Sequence, residues 1–144
     1  MNITVIDSPF IHNMHAVAVQ SERKRMNYDL RTTPDDTSQR MLNVLEVGTQ
    51  VPIHRHEDTT ETVICIEGRL VEIFYEEVVE FVREETSHIE EVVKRCSFRE
   101  VARVELCPCE GKYGVQVPQG VWHTIEVLEP STIFEAKDGA YVGR

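Results

Sequence analysis

The sequence lacks any apolar run approaching the ~20 residues that cross a bilayer, so no membrane-spanning helix is expected. Its N-terminus has no basic stretch ahead of an apolar core. Asp7, His12 and His15 interrupt what apolar character it has, so no secretory signal is read and a cytoplasmic location is expected. Positive charge is scarce, with 15 Lys and Arg against 25 Asp and Glu and a formal net charge of −10. A field of that sign repels phosphate backbones, which argues against nucleic acid as a partner. Cysteine is limited to Cys65, Cys96, Cys107 and Cys109. A chain of this size folds without disulfides, and reduced thiols are expected. Cys107-Pro108-Cys109 lacks the two further clustered ligands of a zinc knot. Internal repeats and low-complexity segments are absent.

What is present fits one soluble domain over residues 1–144, with 41% hydrophobic and 28% charged residues. The charge is uneven. Residues 76–100 hold eight acids, whereas Arg23, Lys24, Arg25 and Arg31 gather upstream. Both read as solvated faces, with an anion-binding strip as the alternative for the basic one. Met41 to Val47, Thr62 to Ile66, Arg69 to Tyr75, Val101 to Leu106, Tyr113 to Val117, Trp122 to Leu128 and Thr132 to Glu135 read as short strands punctuated by Gly and Pro. That pattern predicts an all-β sandwich or barrel. Residues 1–38 form an N-terminal region, of which the first twenty or so read as a flanking strand or arm. Val78, Phe81, Val82, Ile89, Val92, Val93 and Cys96 recur at helical spacing, and Ser87 with Glu90 has the form of a capping box. A short helix is therefore predicted near residues 84–96, with a β-hairpin over Glu77 to Arg83 as the alternative.

The chemistry concentrates in His54-Arg55-His56 and Glu61, bracketed by Gly48 and Gly68. In an extended chain His54 and His56 project to one side, their Cα atoms about 6.6 Å apart, while Arg55 points away. Glu61 follows a short polar connection and can return beside them on the next strand. Buried together without partners, such groups would each cost about 1–3 kcal/mol or more, and a metal ion resolves this by taking up their lone pairs. His123 lies far downstream in Pro118-Gln119-Gly120-Val121-Trp122-His123, and spacing alone does not bring it near. His12, His15 and His88 read as ordinary surface or hydrogen-bonded histidines. Cys65 shares strand parity with Glu61 and reads as core filler, too far along to ligate the same ion.

The stretch from Gly48 through His54, His56 and Glu61 to Gly68 resembles the first cupin motif in every spacing. Pro118-x-Gly120-x2-His123 resembles the heart of the second, although its leading Gly is displaced and Val127 stands where Asn is usual. Gln39-Arg40-Met41-Leu42-Asn43, Pro52-x-His54-Arg55-His56, Trp122-His123-Thr124 and the segment from Phe134 to Tyr141 resemble the WbuC-type cupin metalloproteins of bacterial polysaccharide gene clusters. Residues 78–99 stand as an insertion between the two motifs. The resemblance implies a double-stranded β-helix, or jelly roll. It also implies one divalent transition metal (Fe, Zn, Mn, Ni or Co) held by His54, His56, Glu61 and His123, with two octahedral positions open.

Three roles follow for such a site. The protein could be an enzyme acting on a small oxygen-rich molecule such as a sugar derivative, a binding or sensing module for such a ligand, or a barrel stapled by its metal. The open positions disfavour the staple. For an enzyme, Glu135 and Lys137 share a face of the last strand and are the candidate acid and base, with a structural ion pair as their alternative. Tyr28, Arg40 and Gln50 are candidate pocket residues. A homodimer is expected by analogy with cupins, with the N-terminal arm as a contact.

Overall fold

A computed structural model describes residues 1–86 and 88–139. The chain runs α1 (Ser8–Gln20), β1 (Arg25–Asp29), β2 (Ser38–Leu45), β3 (Glu61–Thr86), β4 (Ile89–Leu106), β5 (Gly114–Val117) and β6 (Trp122–Asp138), with a 3-10 turn over Pro108–Glu110. All six strands join one antiparallel sheet in the order β1-β2-β6-β3-β4, with β5 added on the first part of β3. The sheet curls on itself but stays open.

Two apolar layers hold it. Leu45, Val63, Cys65, Leu70, Phe74, Leu106, Val117, Val127 and Ile133 fill the inside of the curl. On the outer side of β2, Leu42 and Val44 pack against Ile11, Met14 and Ala18 of α1. β2 is thus apolar on both faces, which explains why Met41 to Leu45 does not alternate. Cys65 is core filler, as expected, and burial pushes its thiol up to about 11. All four cysteines are free.

β3 is one long strand where the sequence suggested two. Its pairing with β6 slips at Cys65/Glu67, Glu67/Arg69 and Arg69/Leu70. Before the slip Val63 and Cys65, with Glu61, face inward; after it Leu70 and Phe74 join the same core, so the inward parity changes, while Val71 and Ile73 are buried on the other face. A slip of one residue exchanges the faces of a strand. Gly68 makes this possible: it sits at φ +96°, and a Cβ there would lie 2.4 Å from the Pro130 carbonyl oxygen.

Two expectations need correction. Most of the first twenty residues are not a strand or arm but α1, capped by Asp7, whose Oδ1 accepts from the Phe10 N–H at 3.0 Å, with Pro9 in the first turn. Residues 1–6 lie exposed ahead of it, outside any element. The helix near residues 84–96 is a β-hairpin: β3 and β4 pair from Leu70↔Leu106 out to Thr86↔Ile89. Helical spacing there was fortuitous. The β-branched residues Val78, Val79, Val82, Ile89, Val92 and Val93 favour a ribbon, and the acids and bases meet across it in Glu76–Arg99 and Glu84–Arg95 pairs. His88 takes φ +71° at the tip, unsuited to starting a helix. Ser87, the proposed cap, lies outside the described residues, as does Tyr141.

Candidate metal centre

His54 and His123 meet through their backbones. The His54 N–H donates to the His123 carbonyl at 3.0 Å, and the His123 N–H donates back at 2.8 Å. The Gly120 N–H donates to the His56 carbonyl at 2.8 Å. This short antiparallel clasp draws the second motif onto the first. One ring nitrogen of each of His54, His56 and His123 then lies within 4.8 Å of the others. The ring centroids are 4.2 Å apart for His54 and His123, and 5.3 Å for His54 and His56.

Two of the rings are oriented by their own chain. His54 Nδ1 lies 2.9 Å from the Pro52 carbonyl oxygen, and His123 Nδ1 lies 2.9 Å from that of Val121. A carbonyl only accepts, so each Nδ1 carries the proton and each Nε2 presents its lone pair. Arg55 points away, as expected, with its guanidinium 4.5 Å above the Trp122 ring. Trp122 rests in turn on Phe98 at the base of the hairpin.

Glu61 opens β3 and is 3% exposed. Its Oε2 is 3.2 Å from His56 Nε2, and its Oε1 is 3.9 Å from His123 Nε2. Strand register extends a row from it across the inner face: Glu61 is opposite Lys137 of β6, and Lys137 is opposite Gln39 of β2. One step along, Glu135, 3% exposed, sits between Val63 and Met41. Glu135 and Lys137 therefore share the face of Glu61, within one or two strand positions of it.

The other three candidates stand apart from the histidines. Tyr28 is opposite Leu42, on the helix side of the sheet, and packs edge-on against Phe10 with centroids 5.0 Å apart. Arg40 donates to Asp36 Oδ2 at 2.7 Å and to the Ser38 carbonyl at 2.8 Å. The Arg40 guanidinium holds the Asp36 carboxyl below the usual carboxylate range. Gln50 is exposed, and its carbonyl accepts from Arg25 at 2.8 Å.

The sequence from residue 6 to residue 86, more than half of the chain, matches a family model described as "Domain of unknown function (DUF6016)". The chain belongs to this family. No curated protein matches it. Among solved structures it is similar to the capsular polysaccharide assembling protein CapF from Staphylococcus aureus, with a TM-score of 0.52 and 18% identity over 85% of this chain and 30% of that one. It is also similar to an oxalate oxidase in complex with the substrate analogue glycolate (TM-score 0.51, 12% identity, 85% of this chain and 55% of that chain). The conserved SPY1581 protein of unknown function from Streptococcus pyogenes is similar over 99% of this chain and 92% of its own, at 11% identity and a TM-score of 0.51. The chain spans about 30% of the length of CapF. At these identities the likeness shows the fold: a cupin jelly roll, as expected from the two motifs.

The residues of this DUF6016 member fit a divalent metal. Three imidazoles converge, and the carbonyls behind His54 and His123 leave Nε2 as the donor on each. Nitrogen with oxygen donors suits Fe, Mn, Co, Ni or Zn alike. Sequence reasoning missed the carbonyls of Pro52 and Val121, each two residues before its histidine. Nor does the sequence mark the interior position of Gln39 and Asn43, which follows from their parity with Leu45 on β2.

Proposed function

We propose that the protein binds a small oxygen-rich molecule, a sugar or sugar derivative, at one divalent transition metal held by His54, His56, Glu61 and His123. The observation that supports this most directly is the convergence of the three imidazoles, with the Glu61 carboxylate 3.2 Å from His56. A divalent ion there would polarise a carbonyl or hydroxyl oxygen and lower the pKa of a nearby water. Glu61, at the start of β3, would complete the ligand set. Glu135 and Lys137 lie on the same face and are the groups to take and return a proton during turnover. Likeness to CapF, named for capsular polysaccharide assembly, and the WbuC-type resemblance both favour surface-polysaccharide chemistry.

Elemental analysis of protein purified without a chelating tag tests the first half: one equivalent of a transition metal is expected, and none in His56→Ala. Incubation of the loaded protein with nucleotide sugars and keto sugars, followed by mass spectrometry, tests the second. Conversion is expected in the wild type and not in Glu135→Gln. Tight binding with no conversion across the panel would replace the enzyme with a binding or sensing module. We propose further that two copies pair, because the hairpin leaves Phe81 (71% exposed), Val92 and Val79 uncovered on one face.

A further inference from the structure

Gln39 and Asn43 lie on β2, and Asn27 is the cross-strand partner of Asn43 on β1. Gln39 and Asn43 share β2 parity with Leu45, whose side chain belongs to the inner core, so these amides line the inside of the curl. Gln39 is 2% exposed, and neither its Oε1 nor its Nε2 meets a hydrogen-bond partner. Asn43 is 6% exposed, and its Oδ1 is likewise unmet, as is that of Asn27. Folded proteins leave few buried amides in this condition, and a Gln39 side chain unmet at both atoms calls for a ligand. Asn43 lies four residues further along β2, about 13 Å away. Lys137 alone separates Gln39 from Glu61 in the cross-strand row. At strand spacings of about 4.8 Å, the Gln39 and Glu61 backbones are therefore about 10 Å apart, which one sugar-sized molecule spans.

We propose that Gln39 receives the hydroxyl groups of a polyhydroxylated ligand whose other end is held at the metal. This rests on the metal-site reading and extends it to a ligand class and to a residue with no role so far. The chemistry of the unmet atoms selects hydroxyls. Gln39 presents an unmet oxygen acceptor, which needs a donor, and an unmet N–H, which needs an acceptor. Carboxylate, phosphate and keto oxygens cannot donate, whereas a hydroxyl donates to the amide oxygen and accepts from the amide N–H. The Gln39 amide is neutral and recognises the uncharged part of the ligand, with Lys137 and Glu135 beside it on the same face, and the metal takes the chelating end.

Calorimetric titration of the metal-loaded full chain with two probes tests this. Glycolate carries only a chelating carboxylate and α-hydroxyl; D-gluconate carries the same end with four further hydroxyls. The wild type is expected to bind gluconate at least ~10-fold more tightly than glycolate, from two or more added neutral hydrogen bonds. Gln39→Met should weaken gluconate about fivefold, leave glycolate unchanged, and leave Tm unchanged or raised, since it removes an unmet polar group. Asn43→Leu, too far from the metal for gluconate to reach, should leave both probes unchanged. Equal binding of both probes by the wild type, or a Gln39→Met variant that keeps the full gluconate preference, would overturn the Gln39 contact and leave the metal site standing. If neither probe binds the loaded wild type, ligand binding at the metal falls and the Gln39 contact with it, whereas failure to take up metal would overturn the metal site itself.

Discussion

At the scale of single residues, the centre depends on which ring nitrogen holds the proton. Main-chain carbonyls decide this for His54 and His123, so their orientation does not require the metal. His56→Ala should therefore abolish metal binding while cooperative thermal unfolding persists; a non-cooperative melt would mean the ion staples the barrel. Arg40 offers a second check. Its bond depresses the Asp36 carboxyl, so that pair stabilises the fold above the unfolded Asp value of about 3.9 and the contribution is lost as pH falls through the depressed folded value. In Arg40→Met the Asp36 titration seen by carboxyl NMR should move up towards 3.9, with metal content unchanged. A loss of bound metal would instead give Arg40 a part in the centre. His54 and His56 were legible because alternation alone puts them on one side, and Glu61 because so few residues separate it from them. Gln39 was not legible, since the residues that give it meaning, Lys137 and Glu61, reach it only through strand register.

At the scale of elements, most strands announced themselves by alternation and by the glycines and prolines between them. The hairpin did not, because a 3-4-7 recurrence of apolar residues also arises when two strands expose Val78, Val82 and Val93 on one face and Val79, Phe81 and Val92 on the other. Nor did α1, whose signal was the short Asp7-Ser8-Pro9 start. β3 shows what a single glycine contributes. Gly68→Ala would force a side chain at φ +96° into the Pro130 carbonyl, costing about 1–3 kcal/mol for the backbone alone. Tm should fall by at least ~5 °C in a thermal scan, given about 2–4 °C per kcal/mol for a domain of this size. An unchanged Tm would show that the slip in β3 survives without glycine.

At the scale of the whole molecule, the curled sheet and the protruding ribbon are separable. Beyond Tyr75 the ribbon pairs only within itself among the described residues, and an isolated two-stranded ribbon is marginal in water. Joining Glu76 to Arg99, its direct cross-strand partner, through an Asn-Gly turn would remove the ribbon and leave the inner core intact. That variant should bind metal like the wild type but elute as a monomer in size exclusion with light scattering; a persisting dimer would place the contact elsewhere. The His54–His123 clasp has one further consequence. Bringing together two residues so distant along the chain carries a loop-closure entropy that an ion would otherwise have to overcome on binding. Here the fold has already met it, so the intrinsic affinity of the ring nitrogens is available to whichever ion arrives. A metal bound there would be chosen by its own affinity for nitrogen and oxygen donors and by supply, not by any folding that it drives.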